Sequence, residues 1–171
     1  GRIELQAQWE RLSIEHVRIL PDLEKKTVTV ELKLDRHLQQ LGDCSFYARG
    51  VVRSLSAGDD PHEHVYTDER EVLSSTTRLV FHLDDGLQLW DEFTPNLYQL
   101  TVMVGDDEYT TTFGLRDVSI SGRQLYINGK PLFLRGTVEN CCFPETGYPP
   151  TDVKSWTDVL TKVKEYGLNH V

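Results

Sequence analysis

Apolar and polar residues alternate along most of the first two thirds of the chain. Residues 27–34 are the clearest run: Val28, Val30, Leu32 and Leu34 share one face, and Thr27, Thr29, Glu31 and Lys33 share the other. A period of two predicts a strand with one face buried and one wet. The same reading predicts strands over residues 2–9, 14–20, 44–54, 63–72, 77–83, 96–104 and 108–113. Pro21-Asp22 reads as the turn that ends the second of these, Gly50 as a bend within 44–54, and Gly105-Asp106-Asp107 as a hairpin turn. Seven or eight short strands separated by turns, with no helix, predict an antiparallel β-sandwich.

The pattern changes after Arg116. Residues 118–120 and 124–127 predict a small hairpin, and Asn128-Gly129 a tight turn, because both residues tolerate positive φ. Residues 130–137 carry the continuous apolar run Leu132-Phe133-Leu134, which suits a strand covered on both sides. From 153 to 166, Trp156, Val159, Leu160, Val163 and Tyr166 recur at helical spacing, with Thr151-Asp152 placed to cap the helix and Gly167 to stop it. Residues 168–171 open another apolar strand. Strand, helix and strand in that order predict a βαβ unit and a parallel pairing.

Composition narrows the partners. The 171 residues carry 27 acidic and 18 basic side chains, for a net charge of −9. Nucleic acid and anionic membranes need a basic face, so neither is expected as a partner. No run of about 18 apolar residues suggests a membrane span. Cys44, Cys141 and Cys142 are an odd count with an adjacent pair, which is no disulfide framework.

Within this pattern, Leu89-Trp90, Thr94-Pro95-Asn96-Leu97-Tyr98, Phe113-Gly114-Leu115-Arg116 and the stretch Leu125 to Gly136 (LYINGKPLFLRG) follow one another. The Trp156 helix and Tyr166-Gly167-Leu168-Asn169 come next. In order and spacing these resemble glycoside hydrolase family 2, the β-galactosidases, β-glucuronidases and β-mannosidases, where an immunoglobulin-like domain passes into a (β/α)8 barrel. The resemblance implies a mainly β chain: an immunoglobulin-like antiparallel β-sandwich over residues 1–116, followed over 117–171 by a hairpin and the truncated βα start of the barrel. Residues 1–9 resemble the last strand or linker of a preceding sugar-binding jelly roll. A barrel needs about 250 residues, so this chain alone is expected to be inactive. The family's two catalytic glutamates, which in retaining enzymes stand about 5–5.5 Å apart, would then come from barrel strands outside it. The implied partners are a carbohydrate substrate, met through the parent enzyme, and the flanking sugar-binding and barrel domains.

Candidate chemistry within the chain is sparse. Many family members carry valine-asparagine-arginine-histidine-glutamate after the first barrel strand, where this chain has Thr137-Val138-Glu139-Asn140-Cys141. Asn140 takes the place of that histidine, which speaks against carrying over galactose specificity. Glu139 and Asn140 are the substrate-binding candidates in the parent, since barrel sites form at C-terminal strand ends. Asp59-Asp60, Asp84-Asp85 and Asp106-Asp107 read as solvated turns. His62-Glu63-His64 puts two imidazoles on one side of a strand without a third ligand, so no metal site is assigned. Gly-rich phosphate fingerprints are absent, and no cofactor is expected. Trp9 and Trp90 read as packing residues at domain junctions rather than a sugar-stacking platform. The alternative from another class is a free-standing immunoglobulin-like carbohydrate-binding or adhesion module, which leaves the βα start unexplained.

Overall fold

The computed structural model describes residues 3, 12–36, 45–55 and 64–171. The expected strand over 2–9, apart from Ile3, lies outside these residues, as do Trp9, Cys44, Asp59-Asp60, His62 and Glu63. The chain divides into two compact units, Gly1–Val118 and Ser119–Val171.

Among the described residues, the first unit holds seven strands: β1 (Leu12–Asp22), β2 (Thr27–Arg36), β3 (Tyr47–Ser54), β4 (Val65–Glu71), β5 (Thr76–His82), β6 (Tyr98–Val104) and β7 (Asp107–Phe113). They form two antiparallel sheets, ordered β1-β2-β5 and β4-β3-β6-β7. This is an immunoglobulin-like sandwich whose fourth strand pairs with β3; in the constant-type arrangement that strand lies beside the fifth.

The alternation read in β2 is the inner face of the first sheet. Val28, Val30, Leu32 and Leu34 are buried, together with Leu79 and Phe81 of β5. Ala48 and Val52 of β3 and Tyr98, Leu100, Val102 and Val104 of β6 face them from the second sheet. Interdigitated inner faces of this kind supply most of the burial that stabilises a sandwich.

Three expectations change here. Pro21-Asp22 does not end the first strand. Pro21 pairs with Val28, and the turn falls at residues 23–26, where the Lys25 N–H donates to Asp22 Oδ1 at 2.9 Å. An edge strand accepts proline, because its outward side has no ladder to lose. Gly50 is not a bend, since β3 pairs in unbroken register with β4 and β6 through it. A Cβ there would lie 2.6 Å from Phe81 Cζ and 2.7 Å from Leu79 Cδ1, so the glycine makes room for side chains of the opposite sheet. The third correction concerns residues 130–137. Only Lys130–Pro131 form a strand (β10), and Phe133 and Leu134 are 74% and 47% exposed rather than covered on both sides.

In the second unit, β8 (Val118–Ser121), β9 (Gln124–Ile127) and β10 make a three-stranded sheet in the order β10-β9-β8. Asn128 and Gly129 turn between β9 and β10 with φ of 51° and 73°. Helix α1 spans Val153–Glu165. The Asp152 carboxylate caps it by accepting the Ser155 N–H at 2.8 Å, and those bonds to Ser155 hold the carboxyl below its ordinary range. At the other end Gly167 N–H donates to Lys164 O and Leu168 N–H to Val163 O, the paired bonds of a Schellman motif, with Gly167 at φ 75°. The chain then returns parallel to its start, as Gly136 and His170 form a parallel bridge. A full barrel is not seen among the described residues, and none of them beyond Leu115 is buried.

Candidate functional site

The parallel bridge is where the candidate residues sit, and it is built mainly from one side chain. The Asn169 N–H donates to Arg135 O at 2.8 Å. The Asn169 amide then adds two more ties: Oδ1 accepts the Arg135 N–H at 2.8 Å, and Nδ2 donates to Phe133 O at 3.0 Å. Asn169 thus replaces ladder hydrogen bonds that a longer strand would supply. Arg135 Nε reaches across to Gly167 O at 2.8 Å, so the guanidinium joins the strand to the carbonyl just past α1. Sequence reasoning assigns neither residue a role. The available signal is the polar pair Asn169-His170 set between Leu168 and Val171.

Glu139 and Asn140 follow this strand end, and both are exposed. Glu139 Oε1 accepts the Cys141 N–H at 2.6 Å, closing a tight turn in which Cys141 has φ of 55°. Asn140 O accepts a weak bond from Cys142 Sγ at 3.6 Å. The loop beyond is anchored by Trp156, whose Nε1–H donates to Pro150 O at 2.8 Å. The Phe143 ring meets the indole edge-on, with centroids 5.7 Å apart. Beside it lies a shallow apolar groove of about 300 Å³ lined by Pro150, Val153, Trp156 and Leu160 among others.

Elsewhere the candidates prove structural. Trp90 is not an open platform. Its N–H donates to Leu115 O at 2.8 Å, and the Arg116 guanidinium lies 4.5 Å above its ring. A Cβ on Gly114 would fall 2.7 Å from Trp90 Cγ, so only glycine lets β7 leave the sandwich against the indole. Two of the sequence motifs, Leu89-Trp90 and Phe113 to Arg116, therefore meet in one closure. Tyr98 is buried at the start of β6, and its hydroxyl accepts the Gln88 N–H at 3.0 Å, a tie of the tyrosine-corner kind.

Among the described residues, Asp84, Asp85 and Asp107 of the acidic pairs are engaged as well. Asp84 Oδ2 bonds His64 Nδ1 at 2.8 Å, and its other oxygen accepts the Gly86 N–H. Burial works against the charged Asp84, but the Gly86 N–H, the Tyr66 hydroxyl and His64 together hold its carboxyl below the ordinary range. Asp85 pairs with Lys26. Asp107 Oδ2 accepts the Ile14 N–H at 2.7 Å. Among the described residues, no group of three His, Cys, Asp or Glu side chains is placed to hold a metal ion.

Seven strands in this order, closed by Trp90 and tied at Tyr98, define an immunoglobulin-like sandwich, here followed by a strand–helix–strand connection. The sequence profile of the glycosyl hydrolases family 2 matches residues 12–116, and the chain belongs to that family. A β-galactosidase from Vibrio vulnificus strain YJ016 is 34% identical over 119 residues, covering 66% of this chain and 11% of the relative. A β-galactosidase from Photobacterium profundum is 28% identical over 168 residues, covering 92% of this chain and 16% of the relative. Among solved structures, a β-glucuronidase from Lactobacillus rhamnosus superposes with a TM-score of 0.64 at 21% identity, over 93% of this chain and 25% of that one. That likeness speaks for the fold. The chain thus spans between about a tenth and a quarter of the length of these relatives.

Proposed function

We propose that the chain supplies the immunoglobulin-like scaffold and the opening βα unit of the catalytic barrel of a longer family 2 glycoside hydrolase. In this reading the parent hydrolyses β-linked glycosides with retention, and the sandwich is non-catalytic, holding the sugar-binding domain and the barrel. The boundaries proposed are residues 1–116 for the sandwich side and 117–171 for the barrel side.

The observation that carries the reading is the bridge between Gly136 and His170 across α1, in a unit where no described residue is buried. A parallel pairing needs both faces covered, and a unit without a core gets that cover from further polypeptide. Glu139 and Asn140 stand just past the end of that strand. In this reading they hydrogen-bond a sugar hydroxyl at the pocket rim, and the bond from the Cys141 N–H to Glu139 supports it by fixing the turn around Asn140. The activities of the relatives, β-galactosidase and β-glucuronidase, set the substrate panel.

The test compares this chain with the longer enzyme that carries it, on aryl β-galactosides and aryl β-glucuronides. The longer enzyme is expected to turn over one of them and the isolated chain neither. In the longer enzyme, Asn140→Ala is expected to lower kcat/KM by roughly tenfold, the loss of about one hydrogen bond. Hydrolysis by the isolated chain would overturn the scaffold reading. An unchanged kcat/KM in N140A would remove Asn140 from the site.

A further inference from the structure

Cys141 and Cys142 have no part in the function proposed above. Both thiols are free and both side chains are exposed. They are adjacent in sequence, in the turn that the Glu139 carboxylate closes on the Cys141 N–H. The Cys142 thiol donates one weak bond, to Asn140 O at 3.6 Å, which a ligand displaces at little cost. The pair is therefore accessible, adjacent in sequence and weakly engaged.

The chemistry of such a pair depends on how many ligands its partner needs. A structural zinc site takes four donors. Among the described residues no third His, Cys, Asp or Glu converges with another two, so a four-coordinate cation is not served here. A soft centre satisfied by two thiolates is, since soft thiolate donors select soft acceptors.

We propose that Cys141 and Cys142 form a dithiol site for trivalent organoarsenicals. The step balances without an oxidant or reductant. An arsenic(III) oxide RAs=O meets two thiols, two As–S bonds form, and the oxygen leaves as water with both thiol protons. Arsenic stays trivalent and both sulfurs stay at the thiol level. The closed ring ties the two residues that follow Glu139 and Asn140, so the loop carrying those side chains stiffens when the site is filled. The proposal stands on the exposure and adjacency of the thiols and does not depend on the glycosidase reading.

The test titrates the chain with phenylarsine oxide in a Cys44→Ser background, leaving two thiols, and reads intact mass and remaining thiol. One arsenical per chain is expected, with loss of both thiols to a thiol reagent and release by a small dithiol but not by a monothiol. Cys141→Ser and Cys142→Ser should each weaken binding by about 10²–10⁴-fold, the gain that joining two attachment points confers. Two arsenicals per chain, or undiminished binding in either single variant, would overturn the proposal. If Cys44→Ser does not fold, digestion and mass mapping of the unsubstituted chain decide the same question. The arsenical must then be found on the peptide bearing Cys141 and Cys142; finding it on Cys44 alone sinks the site.

Discussion

Asp68 Oδ2 accepts the main-chain N–H of Val80 at 2.8 Å, and the two residues belong to different sheets. Val80 lies on β5, the edge of the first sheet, and Asp68 on β4, the edge of the second. On the other side of the sandwich, Asp107 of β7 accepts the Ile14 N–H of β1 at 2.7 Å, beside the irregularity in that strand. Each open side of the sandwich is thus closed by one carboxylate bound to an edge N–H that has no ladder partner. Edge strands are exposed to pairing with other chains, and filling their donors with an aspartate removes the template.

Asp68→Ala should therefore destabilise the sandwich by about 1.5–3 kcal/mol, the range for a hydrogen bond to a charged group. Asp68→Asn keeps an acceptor and should lose less. Because the two ties lie on opposite sides, the loss in Asp68→Ala with Asp107→Ala should be close to the sum of the single losses. Urea unfolding with a constant slope measures all three. An Asp68→Ala variant as stable as the parent would mean the bond only decorates the edge.

The alkaline limit of stability should depend on Tyr66. Its hydroxyl is buried beside Asp84, and burial, the largest cause, pushes its pKa up to about 12. A tyrosine in the unfolded chain titrates near 10. Between those values the folded chain holds a proton that the unfolded chain has lost, so stability falls as pH rises from about 10 to about 12. Burial also raises Tyr98, which adds a loss of the same sign. Tyr66→Phe should flatten part of the alkaline fall without removing it. Thermal melts of both proteins across pH 8–11 test this, and parallel curves would sink it.

Asn169 makes a prediction confined to the second unit. Asn169→Ala removes the side-chain bonds to Arg135 N–H and Phe133 O but leaves the main-chain bond to Arg135 O. The Arg135 amide should then exchange with solvent faster by roughly tenfold or more, as expected for the loss of a hydrogen bond worth about 1.4 kcal/mol or more. Amides of β2 and β6 should be unaffected. Hydrogen exchange read residue by residue separates the two. An unchanged Arg135 amide would show that the bridge stands without the side chain.

How much of the fold is legible in the chain follows from how local each cause is. The inner face of β2 is legible because Val28, Val30, Leu32 and Leu34 repeat at the strand period. The caps of α1 are legible because Asp152 and Gly167 act within one turn of their own positions. Asp68 and Asp107 look like solvated acids, since their acceptor role depends on which edge of the other sheet folds next to them. Phe133 and Leu134 read as a doubly covered strand on hydrophobicity alone, yet they are exposed. Their pattern describes a face suited to cover, and composition does not say what supplies it. Glu139 and Asn140 stand out by their place after a strand, and the structure adds the turn that fixes them.

The space beside Gly50 carries a last consequence. A Cβ at that position would stand 2.6 Å from the tip of the Phe81 ring, so one pocket of volume serves both residues and the ring holds it. Sequence change is then coupled across the sheets: a side chain at 50 becomes tolerable only when 81 shrinks and Leu79 gives way as well, so position 50 does not drift alone. The ring also works as a shim between the sheets. The distance between β3 and β5 is set there by the length of one phenylalanine, and with it the spacing on which the whole inner face is cut.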